Sequence, residues 1–165
     1  MPRSDPRRSL WVTALLFAAP LACTEATVLP PLSVQIGTNK PGSVNLSGYQ
    51  PLAHGDTAPV AFGTQFRWMI VLAADLHGLP ANATRAAIRV DVWSDGRSLS
   101  QFRSKLTPLN RTERGGHLAL NLFVVLGSKE EWAGRAAEVS LGVEAENGQS
   151  GEASVQLRFP ADPVR

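Results

Sequence analysis

Residues 135–146 (RAAEVSLGVEAE) carry the pattern that most narrows what this chain can fold into. Ala137, Val139, Leu141, Val143 and Ala145 share one parity, and Glu138, Ser140, Glu144 and Glu146 share the other. A period of two is that of a β-strand with one face buried and one in water. The pattern recurs. Ile88, Val90 and Val92 alternate with Arg89, Asp91 and Trp93, and Ala153, Val155, Leu157 and Phe159 again share a parity. Leu118, Leu120, Leu122, Val124 and Leu126 form another series, and Leu32, Val34 and Ile36 a short first strand. Phe66, Trp68, Ile70 and Leu72 occupy one face of a further strand. Met69, Val71 and Ala73 make its other face apolar too, which predicts a central strand covered on both sides.

The breaks between these runs are turn signals. Ser94-Asp95-Gly96-Arg97 joins two alternating segments, and Asp-Gly favours a tight hairpin whose two central residues both need positive φ. Asn147-Gly148 opens another turn, SKEEWAG (128–134) suggests one helical turn, and TPLNRTERGG (107–116) reads as a polar loop. No long amphipathic helix interrupts the series. Short strands joined by short turns predict an all-β protein, an antiparallel β-sandwich of about seven strands over residues 32–160 with a short tail at 161–165. The pattern is similar to the broad immunoglobulin-like class of exported bacterial domains, without the Cys…Trp…Cys spacing of true immunoglobulin domains. A small β-barrel is the alternative.

The head of the chain differs in kind. Arg3, Arg7 and Arg8 precede the uncharged, mostly apolar stretch Leu10–Ala22. That stretch is shorter than the ~20 residues needed to cross hydrocarbon, so 1–22 reads as an export signal. It ends at Cys23, the chain's single cysteine. Leu21-Ala22-Cys23 resembles the lipobox of bacterial lipoproteins, with Pro20 standing where that pattern usually has Leu. The resemblance implies cleavage after Ala22, lipid on the Cys23 thiol and attachment to a membrane of the bacterial cell envelope, with residues 23–31 as a tether. Several acyl chains hold a protein where one does not. Thr24 and Ala26 supply the small residues of an ordinary signal-peptidase site as well, and cleavage there leaves the alternative, a soluble periplasmic or secreted domain that binds carbohydrate or peptide.

Charge and cysteine content exclude several functions. The head holds three of the 16 basic residues and one of the 14 acidic ones, so the remainder balances at 13 of each. The basic isoelectric point therefore owes much to the signal, and nucleic acid is not an expected partner. After Cys23 there is no thiol for a disulfide or a thiolate metal cluster. His54, His77 and His117 lack metal-ligand spacing and read as surface residues, so neither a metal nor a cofactor is expected. No nucleophile elbow or phosphate loop appears, and the expectation is a non-enzymatic interaction or structural domain of the envelope.

Trp93 is the candidate contact residue. It stands on the polar parity of its strand beside a tight turn, with Asp95 and Arg97 next to it, a combination suited to an envelope protein or a glycan. Charge is unevenly spread as well. Residues 97–114 are mostly basic and residues 130–152 mostly acidic, consistent with two opposed patches or with solvated strand faces.

Overall fold

The computed structural model describes residues 31–42, 46–63 and 65–163. The signal segment 1–22, Cys23 and all of the 23–31 tether except Pro31 lie outside the described residues, as do the last two residues of the tail. In chain order the strands are β1 (Ser33–Thr38), β2 (Gln50–Pro51), β3 (Val60–Phe62), β4 (Trp68–His77), β5 (Arg85–Ser94), β6 (Arg97–Pro108), β7 (Asn110–Arg111), β8 (His117–Val125), β9 (Ala136–Ala145) and β10 (Ser150–Arg158). Seven of them have six residues or more. The helical turn expected in SKEEWAG is α1 (Lys129–Trp132), where the Ser128 N–H donates to Glu131 Oε2 at 3.1 Å.

Two antiparallel sheets face each other and do not close into a barrel. One runs β2-β1-β4-β8-β7, with β3 beside β1 on the same edge of β4; the other runs β10-β9-β5-β6. The alternating runs supply the inner faces. Ile88, Val90 and Val92 of β5 and Val139, Leu141 and Val143 of β9 pack against Ile70, Leu72, Ala74 and Leu76 of β4, all buried. Fully burying such a side chain contributes roughly 1.5–3 kcal/mol, so the interleaved faces hold the sheets together.

The strand β4 is covered on both sides, as its doubly apolar sequence predicts. Val71 and Ala73 point away from the intersheet core yet are buried. The chain after β1 contributes to this cover. Tyr49 lies over Gly37, where any Cβ would overlap its ring, and its hydroxyl donates to the Gln35 carbonyl at 3.2 Å. Burial, with the Asp75 charge adding to it, raises the Tyr49 ionisation above that of a free phenol.

Four sequence expectations are corrected. The stretch read as a polar loop at 107–116 is partly strand. Thr107 and Pro108 end β6, and after Leu109 the short β7 pairs with β8, so this path leaves one sheet for the other. In β8 the alternation does not run straight through. Asn121 has φ 57°, and the pairing with β4 shifts between Leu72 and Ala74. Ala119, rather than Leu120, therefore joins Leu122 and Val124 inside, because a bulge moves every later residue to the other parity. His117 is not on the surface but fully buried, with no hydrogen-bond partner on either ring nitrogen. Phe66, read as an inward residue of β4, lies in the turn before it and is 85% exposed.

Candidate functional site

Antiparallel pairing gives the sandwich two distinct ends. Ser33 of β1 pairs with His77 at the end of β4, and the Leu32 N–H donates to the Ser150 carbonyl at 3.1 Å. The chain therefore enters the described domain at the end that holds the β4–β5 and β9–β10 connections. The β3–β4 turn, the β5–β6 hairpin and the α1 segment lie at the opposite end, where Leu126 N–H donates to the Trp68 carbonyl at 2.8 Å. The ten residues of β4 separate the two ends, about 33 Å at ~3.3 Å per residue.

Trp93 sits at this far end. Asp95 and Gly96 have φ of 49° and 73°, as a tight Asp-Gly turn requires, and Ser94 pairs with Arg97 across it. The Ser94 hydroxyl donates to the Ala136 carbonyl at 2.7 Å and pins the hairpin to the start of β9. Trp93 projects from the outer face of its sheet, 42% exposed, beside Glu138 on β9. A shallow cleft of about 440 Å³ joins Trp93, Asp95, Glu138 and Gln156. Two of the three expected contact residues thus line one surface. Arg97 is exposed on the far side of the turn and does not line the cleft. Asp95 also meets Arg135 at 3.3 Å. Both partners are largely exposed, so this pair contributes little stability.

The basic and acidic stretches flank a second surface. A groove of about 840 Å³ crosses the outer face of the β10-β9-β5-β6 sheet over Ala87, Gly142 and Gly151. Arg89, Arg103 and Lys105 border it on β5 and β6, and Glu144 and Glu152 border it on β9 and β10. Asp91 lies on the basic side, held by Arg103 at 2.8 Å and by Arg89 at 3.4 Å.

The far end also holds a feature that alternation alone did not reveal. Phe66, Phe62, Trp68, Trp132 and Phe159 form a column of rings from solvent into the core. Successive centroids are 6.4, 4.9, 5.7 and 5.3 Å apart, the first three contacts edge-to-face and the last tilted. A pocket of about 610 Å³ opens beside the outer members, walled by Phe62, Phe66 and Trp68 on one side and by the chain from Leu126 to Glu130 on the other. The Phe-Arg-Trp run read as strand; only the turn bond from the Phe66 N–H to the Gly63 carbonyl, at 3.0 Å, turns Phe66 out.

Among the described residues no group of three or more His, Cys, Asp or Glu side chains could hold a metal ion, and no helix is long and apolar enough to cross a membrane. His77 is paired with Asp75 at 3.2 Å, and His54 accepts from the Gln156 N–H at 3.2 Å.

No protein-family model matches this chain, and no curated protein does. Among solved structures it is similar to a DUF4466 family protein from Parabacteroides merdae, with 12% sequence identity, a TM-score of 0.38, and coverage of 81% of this chain and 46% of that one. The chain therefore spans a little under half the length of the solved protein it matches.

Proposed function

We propose that this chain is an exported, non-enzymatic β-sandwich of the immunoglobulin-like class, anchored to a membrane of the bacterial cell envelope through lipid on Cys23. Its role is to bind an envelope protein or glycan at the end farthest from its anchor. One observation carries the reading. The two most exposed aromatic rings among the described residues, Phe66 and Trp93, both stand at the end opposite the N-terminal entry to the domain. Large rings left in water do nothing for folding and are the side chains that dominate binding surfaces. A tether at one end and aromatic contacts at the other hold a partner clear of the membrane.

Labelling cells with a radioactive fatty acid tests the anchor. The full chain should take up label and fractionate with membranes, and Cys23→Ser should do neither. Equal labelling and fractionation of the two would remove the anchor. Recovery of unlabelled wild-type chain in the soluble fraction would favour cleavage after Ala26 and a soluble periplasmic or secreted binding domain. Crosslinking from the native envelope tests the binding end. The partner captured by wild type should be lost with Trp93→Ala, and capture unaffected by that change would exclude the Trp93 cleft.

A further inference from the structure

We infer that the pocket beside Phe66 is a carbohydrate-binding site that takes a pyranose ring of an oligosaccharide against the aromatic column. The inference rests on the far end of the sandwich being its binding end, and it concerns a different surface from the Trp93 cleft.

Phe66 is the least economical residue in the described fold. It is 85% exposed, so its ring gains little from burial. Its φ of 58° lies where a bulky side chain is strained and where glycine sits freely. Its ring contact is one edge-on approach to Phe62 at 6.4 Å, and backbone preference does not call for phenylalanine there. Its neighbour Phe62 packs at 4.9 Å on Trp68, which packs in turn on the fully buried Trp132, so the ring stands at the head of a supported column. A solvent-facing aromatic ring has two side-chain torsions to fix and is a contact surface that loses modest entropy on binding.

The pocket also carries the complementary polar groups, from both walls. Arg67, next in sequence, has no ion-pair partner among the described residues and lines the pocket, as do Ser128 and Glu130. Lys129 also lines it but is engaged by Asp162 at 2.9 Å. A guanidinium only donates hydrogen bonds and a carboxylate only accepts them. Adjacent hydroxyls on a pyranose both donate and accept, while the ring's C–H face is apolar. An aromatic wall with a free donor and an acceptor at its rim matches that two-sided chemistry. An apolar peptide side chain would use the rings alone, whereas a sugar also meets Arg67 and Glu130 at the rim. The volume lies within the range of small-ligand pockets.

The test is titration of the purified full chain with cellohexaose, chitohexaose and maltohexaose, followed by calorimetry and by tryptophan emission, since Trp68 forms part of the wall. At least one sugar should bind with millimolar or tighter affinity. Phe66→Gly should weaken it about tenfold and Phe66→Trp should retain it. Arg67→Gln and Glu130→Gln should each cost about threefold to tenfold. A Phe66→Gly chain that stays folded keeps the result interpretable, because glycine relieves the positive φ. Absence of binding by all three sugars, equal affinity of wild type and Phe66→Gly, or capture of an apolar peptide at this pocket in place of sugar would each overturn the assignment. None of these outcomes bears on envelope crosslinking at the Trp93 cleft, so failure of the sugar site and failure of the far end as the binding end are separable.

Discussion

Trp68 and Trp132 meet edge to face with ring centroids 5.7 Å apart, joining the first residue of β4 to the last of α1. Trp132 is fully buried, and its indole N–H points to the Gly127 carbonyl at 3.4 Å. One ring thereby fastens the one-turn helix to the core and supports the outer rings of the column. Trp132→Ala should cost about 3–5 kcal/mol, the range for deleting a buried aromatic. Urea unfolding measures this, and the near-ultraviolet dichroism of the remaining tryptophans should weaken with it.

Asn39 and Asn121 should be the polar counterpart of that contact. Asn39 Nδ2 donates to Asn121 Oδ1 at 3.0 Å, and the Asn121 N–H donates to Asn39 Oδ1 at 3.1 Å. Asn121 Oδ1 also accepts from the Gly42 N–H at 3.0 Å. The pair ties the chain after β1 to the bulge in β8. Asn39→Ala leaves the bulge N–H without this partner and should cost about 1–3 kcal/mol. Hydrogen exchange should show faster exchange of the Asn121 amide, and an unchanged rate would count against this bond.

His117 predicts a dependence of stability on pH. Burial, and then the nearby Arg111 charge, lower its pKa below the ordinary histidine value. In the pH range between its folded and unfolded pKa values the unfolded chain binds the extra proton. Stability should therefore be full above about pH 6.5, the unfolded value, and fall as pH drops toward the folded pKa. The slope from this group is at most about 1.4 kcal/mol per pH unit. His117→Leu removes two unpartnered buried nitrogens and should flatten that part of the profile, with little loss at neutral pH. Urea midpoints across the acid range, compared between the two chains, decide it.

Phe66 and Gly96 should respond in opposite senses to a change of side chain. Both have positive φ, 58° and 73°. Gly96→Ala adds a Cβ where the backbone disfavours one and should cost about 1–2 kcal/mol. Phe66→Gly removes that strain at a position with little burial to lose. Its melting temperature should equal or exceed that of wild type. A clear drop on Phe66→Gly would mean that the ring serves the fold.

Much of the architecture is legible in short stretches of sequence, because alternation is a local property. Ile88, Val90 and Val92, and Val139, Leu141 and Val143, are buried as their spacing requires. The Asp95-Gly96 turn has the φ values that its residue types favour. The Trp93 surface is legible for the same reason, since a residue on the polar parity beside a hairpin faces solvent whatever it pairs with. The pocket is not legible in that way. Phe66 fits the period of the strand that follows it, and only the turn to Gly63 shows that it faces water.

The sequence by itself determined where most of the long strands run, which faces of β5, β9 and β10 turn inward and where the Asp95-Gly96 turn falls, because each depends on neighbours one or two positions away. Tertiary structure alone decided that Asn39 would meet a residue 82 positions on, that His117 would be shut into the core, and that Phe66 would crown a column of rings drawn from separate segments. Those outcomes depend on which strands lie side by side. That is settled by the packing of whole faces against one another, and no single stretch of chain carries it.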